Sequence, residues 1–284
     1  MADIKIKIAE KLLPLIEIPK REKIIVGGRG GSKSIAVGDI FLRYCDAGER
    51  LCCSREYQNS IDESVHAQLT ARIPVLGCDN TLHPTASKIF SDAGGEIFYR
   101  GLARNILGFK STFGIKRMWI EEGQGLSANT IETVIPTIRE DDSEIWITAN
   151  RGNSNDAFSK HYLKPYERQL RKNKGYYEDD DILIIEINWP DNPFFPETLN
   201  KQRIKDKKMY LPAKYDNIWG GNYADTVDGA IIFTDWFDAC VDAHKKIKGW
   251  EPEGVEVVAH DPSDQGADPK ALAYRLDRDW ETSL

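Results

Sequence analysis

"KIIVGGRGGSKSIAV", residues 23–37, decides how the rest of the chain is read. Its opening "KIIVGG" has the pattern of a short buried strand. Residues 34–48, "SIAVGDIFLRYCDAG", repeat their apolar positions with helical spacing before stopping at Gly48. Strand, glycine loop and helix follow in that order. A phosphate-binding loop needs backbone N–H groups turned inward, a lysine to reach the outer phosphates and a hydroxyl to hold a magnesium ion. Gly27, Gly28, Arg29, Gly30, Gly31, Ser32, Lys33 and Ser34 supply all three, at the positive end of the coming helix. Ser32 departs from the common pattern, which has glycine before the lysine, and its Cβ is expected to crowd the phosphate approach. Taken alone, the segment also fits a flexible turn with a surface lysine. The strand-to-helix setting favours the phosphate loop.

Outward from that loop the pattern repeats. "RLCCSREYQ" (50–58) is a strand, and "SIDESVHAQLTARI" (60–73) is a helix with Ser60 as cap and Glu63 three residues later. "EIFYRG" (96–101), "IKRMWIEEG" (115–123) and "SEIWITANRG" (143–152) are strands, with a helix "ANTIETVIPTIRE" (128–140) before the last. Strands alternating with helices predict an α/β fold, a mostly parallel sheet covered on both faces. A tyrosine- and lysine-rich stretch (159–181) leads to the strand "ILIIEINW" (182–189). Residues 190–221 then carry Pro, Asn and Gly punctuation around one basic helix, a subdomain plus linker. "GVEVVAHDPSDQGADPKALAYRLD" (254–277) has the form of a hairpin that opens a second domain, too short to build a core by itself.

The chain has 284 residues, 41% apolar and 29% charged, with net charge −7. That balance excludes a protein that coats nucleic acid with its whole surface. The apolar runs are far shorter than the roughly 18 residues of a bilayer span, so no membrane partner is expected. The N-terminus alternates charge and apolar residues and does not resemble a signal peptide. Cys45, Cys52, Cys53, Cys78 and Cys240 form no CxxC pair, which favours a reducing cytoplasm over a disulfide or zinc framework. His66, His83, His161, His244 and His260 lack metal-ligand spacing.

Glu121 and Glu122 end a buried strand that follows the glycine loop in the order a nucleotidase requires. Glu121 is assigned to the metal shell opposite Ser34, and Glu122 to the attacking water. The strand at 143–152 ends in Thr148, Ala149 and Asn150, either γ-phosphate or Glu122 partners or an ordinary turn.

These segments together resemble the large terminase subunit of tailed double-stranded DNA phages. The resemblance is carried by "KIIVGGRGGSKS", "CCSREYQNSIDESV", "GLARNILGFKS" leading to "WIEEGQGLS", "ITANRGNSND", "PDNPFFPE" and "YDNIWGGNY", in family order over nearly the whole chain. It implies a P-loop NTPase motor that uses ATP and Mg2+ to move duplex DNA into a procapsid without reading sequence. Lys33, Arg29 and Glu122 would be its catalytic groups, Gly27 to Ser34 its ATP loop, and Ser34 with Glu121 its metal site. Thr148, Ala149 and Asn150 would couple hydrolysis to movement. The implied partners are the portal protein, the small terminase subunit and further copies in a ring, in the cytoplasm of the bacterial host. The implied division is an ATPase domain at 1–205, a linker or lid at 206–250, and at 251–284 the first hairpin of a ribonuclease H-like nuclease domain. Asp261 would be the first nuclease ligand for Mg2+ or Mn2+, with Asp268 a weaker candidate. The later carboxylates of that domain are missing from the sequence, so ATPase activity without cleavage is expected.

Two segments, 160–177 and 201–215, have the lysine, arginine and aromatic content of a DNA grip, and composition does not choose between them. Arg104 and Arg139 are candidates for an arginine offered to a neighbouring subunit. The rival readings are a non-catalytic assembly module that binds ATP and the portal or small subunit, and a helicase- or recombinase-like ATPase on the same fold. The absence of helicase-type motifs and the hairpin at 254–277 weigh against the latter.

Overall fold

A computed structural model describes residues 6–56, 65–103 and 113–224, with the backbone of 255–261 and 271–277. A 3-10 turn at Glu10–Leu12 and the short α1 (Pro14–Glu17) precede β1 (Glu22–Val26), α2 (Lys33–Asp46), β2 (Arg50–Arg55) and α3 (Ala67–Val75). Next come β3 (Leu82–Pro84), β4 (Lys88–Ser91), β5 (Glu96–Gly101), β6 (Arg117–Glu121), α4 (Ala128–Val134) and β7 (Glu144–Ala149). They are followed by α5 (Glu167–Lys172), β8 (Tyr176–Glu178), β9 (Ile182–Glu186), α6 (Glu197–Met209) and α7 (Pro212–Gly220). Contacts divide the chain into Met1–Thr226 and Val227–Leu284. In the second unit β10 (Val255–Asp261) pairs antiparallel with β11 (Ala271–Asp277), the hairpin read from the sequence.

The first unit is built on one nine-stranded sheet in the order β3-β4-β5-β2-β6-β7-β1-β9-β8. Its six central strands, β5 to β9 in that order, are parallel, and the antiparallel pairs lie at the edges. Period-2 alternation gives each strand two apolar faces, because both faces of a parallel sheet are covered. Ile25, Cys53, Trp119 and Trp146 enter the core that packs on α2 and α3. Ile24, Val26, Cys52, Met118, Ile120 and Ile147 enter the core on the other face. Phe41 of α2 meets Trp119 and Trp146 with ring centroids 5.9 and 5.6 Å away, so the helix that starts at the glycine loop is anchored by aromatic contacts.

Several local expectations change in three dimensions. The helix read at 128–140 ends at Val134 and becomes a 3-10 turn over Ile135–Thr137, because Pro136 cannot continue the hydrogen-bond ladder. The second predicted helix covers Ala67–Val75, and its expected cap at Ser60 with Glu63 lies outside the described residues. The single basic helix is two helices, α6 and α7, with Pro212 opening the second; α6 runs through position 205. The edge strands β3 and β4 have no counterpart in the sequence reading, being three and four residues long. Among the described residues no helix is long and apolar enough to cross a membrane. Cys45, Cys52, Cys53 and Cys78 are free and buried, and burial pushes the Cys52 thiol up to about 12.

Candidate functional site

Parallel strands leave a crevice at their C-terminal ends, where loops and helix starts converge. The register aligns Val26 of β1 with Ala149 of β7, and Glu121 of β6 with Thr148. The glycine loop, the two glutamates and the Thr148-Ala149-Asn150 turn therefore meet by topology alone. Together they line a cleft of about 300 Å³ that also includes Ser32, Lys33, Ser34, Gln124 and Leu199.

Close packing dictates the glycines of the loop. A Cβ at Gly27 would stand 1.9 Å from the Ile187 carbonyl oxygen, and one at Gly28 2.6 Å from the Trp219 carbonyl oxygen. The first half of the loop is tied to protein. Gly28 N donates to Asn188 Oδ1 at 2.7 Å, Arg29 N donates to the Ile218 carbonyl at 2.6 Å, and Asn192 Nδ2 donates to the Gly30 carbonyl at 2.7 Å. The second half is open: α2 begins with no side-chain cap, and Lys33, Ser34 and Ile35 of its first turn line the cleft. Ser32 adopts φ 58° and ψ 16°, the left-handed conformation for which glycine is usual. The residue departs from the common pattern while the backbone keeps to it.

Lys33 folds back on the loop, its Nζ donating to the Gly27 and Gly28 carbonyls at 2.7 and 2.8 Å and to Asn150 Oδ1 at 3.0 Å. Burial lowers its pKa to about 8. Asn150 N in turn donates to Gln124 Oε1 at 3.1 Å, joining the turn after β7 to the turn after β6. Thr148 is buried and accepts from Trp119 Nε1 at 2.9 Å.

The two glutamates differ in setting. Glu121 is buried at the strand end and accepts from Arg55 Nε at 2.8 Å, with Arg55 Nη2 on the same oxygen. Glu122 takes a left-handed φ of 56°, which turns its side chain out of the sheet, and that side chain is 58% exposed. Arg55 Nη1 lies 3.5 Å from its Oε2. One arginine thus holds both carboxylates from the end of the neighbouring strand.

The family model described as phage terminase large subunit matches residues 19–222. The chain belongs to the phage terminase large subunit family. Among solved structures, the large terminase from a thermophilic bacteriophage, in complex with ADP, aligns with TM-score 0.59 at 12% identity, over 76% of this chain and 53% of that one. The Thermus phage P74-26 large terminase ATPase domain aligns with TM-score 0.56 at 12% identity, over 76% of this chain and 94% of that one. The Phi-28 gp11 DNA packaging motor aligns with TM-score 0.55 at 15% identity, over 93% of this chain and 78% of that one. These likenesses establish the P-loop fold of a terminase ATPase domain, and the chain spans about half the length of the ADP-bound terminase it matches. Comparison with curated proteins returns no match.

Of the terminase candidates read from the sequence, Gly30, Gly31, Ser32, Lys33, Ser34, Glu121, Glu122, Thr148, Ala149 and Asn150 share the cleft. Arg29 lies to one side, its guanidinium 5.9 Å from the Trp219 ring centroid. Arg139 sits at the opposite end of the sheet, 5.7 Å from the Phe113 ring centroid, and Arg104 lies outside the described residues. Asp261 is the last residue of β10, paired with Ala271, and Asp268 lies outside the described residues. Sequence reasoning missed Arg55, Gln124, Asn188 and Asn192. Arg55 closes the strand beside β6, a neighbour relation that chain order does not contain. The Asn188–Asp191 capping box in "NWPDN" is a local signal that marked a turn without saying what it braces.

Proposed function

We propose that this chain is the ATP-hydrolysing motor part of a phage DNA-packaging machine, moving duplex DNA into a procapsid independently of sequence. The observation that carries the reading is the uncapped start of α2, with Lys33 and Ser34, facing Glu122 across one cleft. In this reading the N–H groups of the loop and of the helix start hold the phosphates. Lys33 leaves the Gly27 and Gly28 carbonyls to neutralise charge that grows on the outer phosphates, and phosphate returns its pKa toward the usual lysine range. Arg29 is the loop arginine. Glu122, the more exposed carboxylate, orients the attacking water and accepts its proton, which requires loosening its contact with Arg55. Gln124 and Asn150 link that event to Lys33 and the coupling turn.

The hydroxyl of Ser34 and the carboxylate of Glu121 are hard oxygen donors that fit Mg2+. These two residues would hold the ion, which supplies charge neutralisation to the phosphates when bound; Glu121 would share its carboxylate between the ion and Arg55. Family membership supports the portal protein, the small subunit and further copies of the chain as partners, in the cytoplasm of the host. It also supports Asp261 as a nuclease ligand for Mg2+ or Mn2+. The test is ATP hydrolysis by the purified chain beside Lys33→Ala. Turnover is expected in the parent and its loss in the variant. Equal turnover in a folded Lys33→Ala protein sinks the assignment, and nucleotide binding without turnover in the parent points to the non-catalytic assembly module.

A further inference from the structure

Composition leaves two basic segments as equal candidates for a DNA contact, and the structure separates them. The segment at 160–177 holds six basic residues and one acidic residue, Glu167, and the acidic run Glu178–Asp181 follows it directly. Its Lys164 and Arg171 converge on Glu167 at 3.9 and 2.6 Å, and its exposed Lys160, Arg168, Lys172 and Lys174 are divided among a π-helical turn, α5 and the turn before β8. Helix α6 holds five basic residues and two acidic ones, Glu197 and Asp206. Asp206 is turned inward, 3% exposed, where it accepts from Trp219 Nε1 at 3.1 Å and from Gln202 Nε2 at 2.6 Å. Arg203 is also turned to the protein, its guanidinium 3.9 Å from the Trp189 ring centroid and bonded to Tyr215 Oη at 2.8 Å.

The outer side of α6 is what remains. Lys201, Lys205, Lys207 and Lys208 are all exposed, and none is ion-paired among the described residues. Positions 201, 205 and 208 follow the i, i+4, i+7 spacing of a single helix face. Their rise of about 1.5 Å per residue sets a row roughly 10 Å long. Phosphates of one DNA strand advance about 3.4 Å per nucleotide along the axis, so the row spans about three of them. Ile204, 44% exposed, lies on the same face among the lysine stems. Lysine is a point charge on a flexible stem and suits contacts that read no bases.

We propose that the Lys201–Lys205–Lys208 face of α6, with Lys207 beside it, binds the phosphate backbone of duplex DNA. The inference rests on the motor reading, which supplies the polyanion. The same helix touches the nucleotide cleft at its other end. Leu199 in its first turn lines the cleft, and just before the helix Phe195 lies where a Cβ on Gly30 would meet it at 2.3 Å. Packed atoms thus connect the phosphate loop to the start of the helix that carries the lysine row.

The experiment is fluorescence anisotropy of a short duplex of arbitrary sequence, titrated with the full chain at several salt concentrations. Lys201→Ala/Lys205→Ala/Lys208→Ala is expected to weaken binding roughly tenfold or more and to reduce the slope of log Kobs against log salt by about 2.7. A control with Lys160→Ala/Lys172→Ala/Lys174→Ala is expected to bind like the parent. Circular dichroism and thermal unfolding verify the fold of both variants. Parent-like affinity and salt slope in the α6 variant overturn the proposal, whether or not the control loses binding, and leave an ATP-hydrolysing motor reading standing. So does an α6 variant that binds DNA normally but loses self-association by light scattering, because the face then meets a second copy of the chain. Nucleotide turnover is measured separately, so failure of the motor reading is distinguishable from failure of this surface.

Discussion

At the N-terminal end of the central strands, Lys23 donates to Glu144 at 3.1 Å and to the Leu15 carbonyl at 2.9 Å, Arg117 lies 3.3 Å from Glu144, and Glu49 accepts from Arg117. Trp146 Nε1 completes the set at 2.7 Å from Glu144. At the C-terminal end, Lys33 rests on carbonyls with no carboxylate partner among the described residues, and Glu122 is mostly exposed. The first group is a buried network in which every charge has an answering group. The second holds charges ready for something that is not protein. Ser32 and Glu122, two of the four non-glycine residues with positive φ among the described residues, lie at this second end, while Asp142 lies near the first and Lys174 in the turn before β8.

Glu122→Gln removes the proton acceptor and keeps the size of the side chain. Turnover is expected to fall by about 10²–10⁴-fold, while nucleotide affinity measured by calorimetry stays near the parent's. Loss of nucleotide binding instead reverses the roles given to Glu121 and Glu122.

Glu144→Ala probes the opposite end and is expected to destabilise the protein by about 3–5 kcal/mol, because it leaves buried cations without their partner. Burial already lowers the Lys23 pKa from 10.5, and Glu144 raises it against that trend while Arg117 lowers it. A lysine whose folded pKa lies below its unfolded value makes folding more favourable as pH rises toward the unfolded value. Without Glu144 that depression deepens, so the deficit is expected to shrink between neutral pH and pH ~10. Urea unfolding at several pH values measures it, and a deficit that grows with pH contradicts the network as described.

Ser32→Gly is the smallest change. Removing a Cβ from a left-handed residue relieves about 1–2 kcal/mol of strain, offset by roughly 0.5–1 kcal/mol of extra unfolded-chain entropy. A net gain below about 1 kcal/mol is expected, visible as a small rise in Tm with ATP turnover retained. A fall in stability would mean that the serine side chain has a structural task in the loop.

The strand-loop-helix unit at 23–48 was legible because each part has a local cause: apolar alternation in the strand, glycines where the chain turns, helical spacing after Lys33. Glu121 and Glu122 were legible for the same reason, as charges ending an apolar strand, and so were the hairpin strands β10 and β11. Short elements escaped. β3 and β4 are too brief to show a period, and Pro136 and Pro212 moved helix boundaries that spacing alone had drawn elsewhere.

Residue types and their order, then, determined the α/β class, the loop, the carboxylates and the family. Tertiary structure alone decided which strands are neighbours, and so brought Arg55 from β2 onto Glu121 and Glu122 of β6, and Asn188 and Asn192 under the loop. It also decided which lysines of a basic segment are paired, which are packed and which face outward. The physical reason is that hydrogen bonds within a helix or turn depend on residues a few positions apart, whereas strand order and side-chain pairing depend on how distant segments bury their apolar faces together.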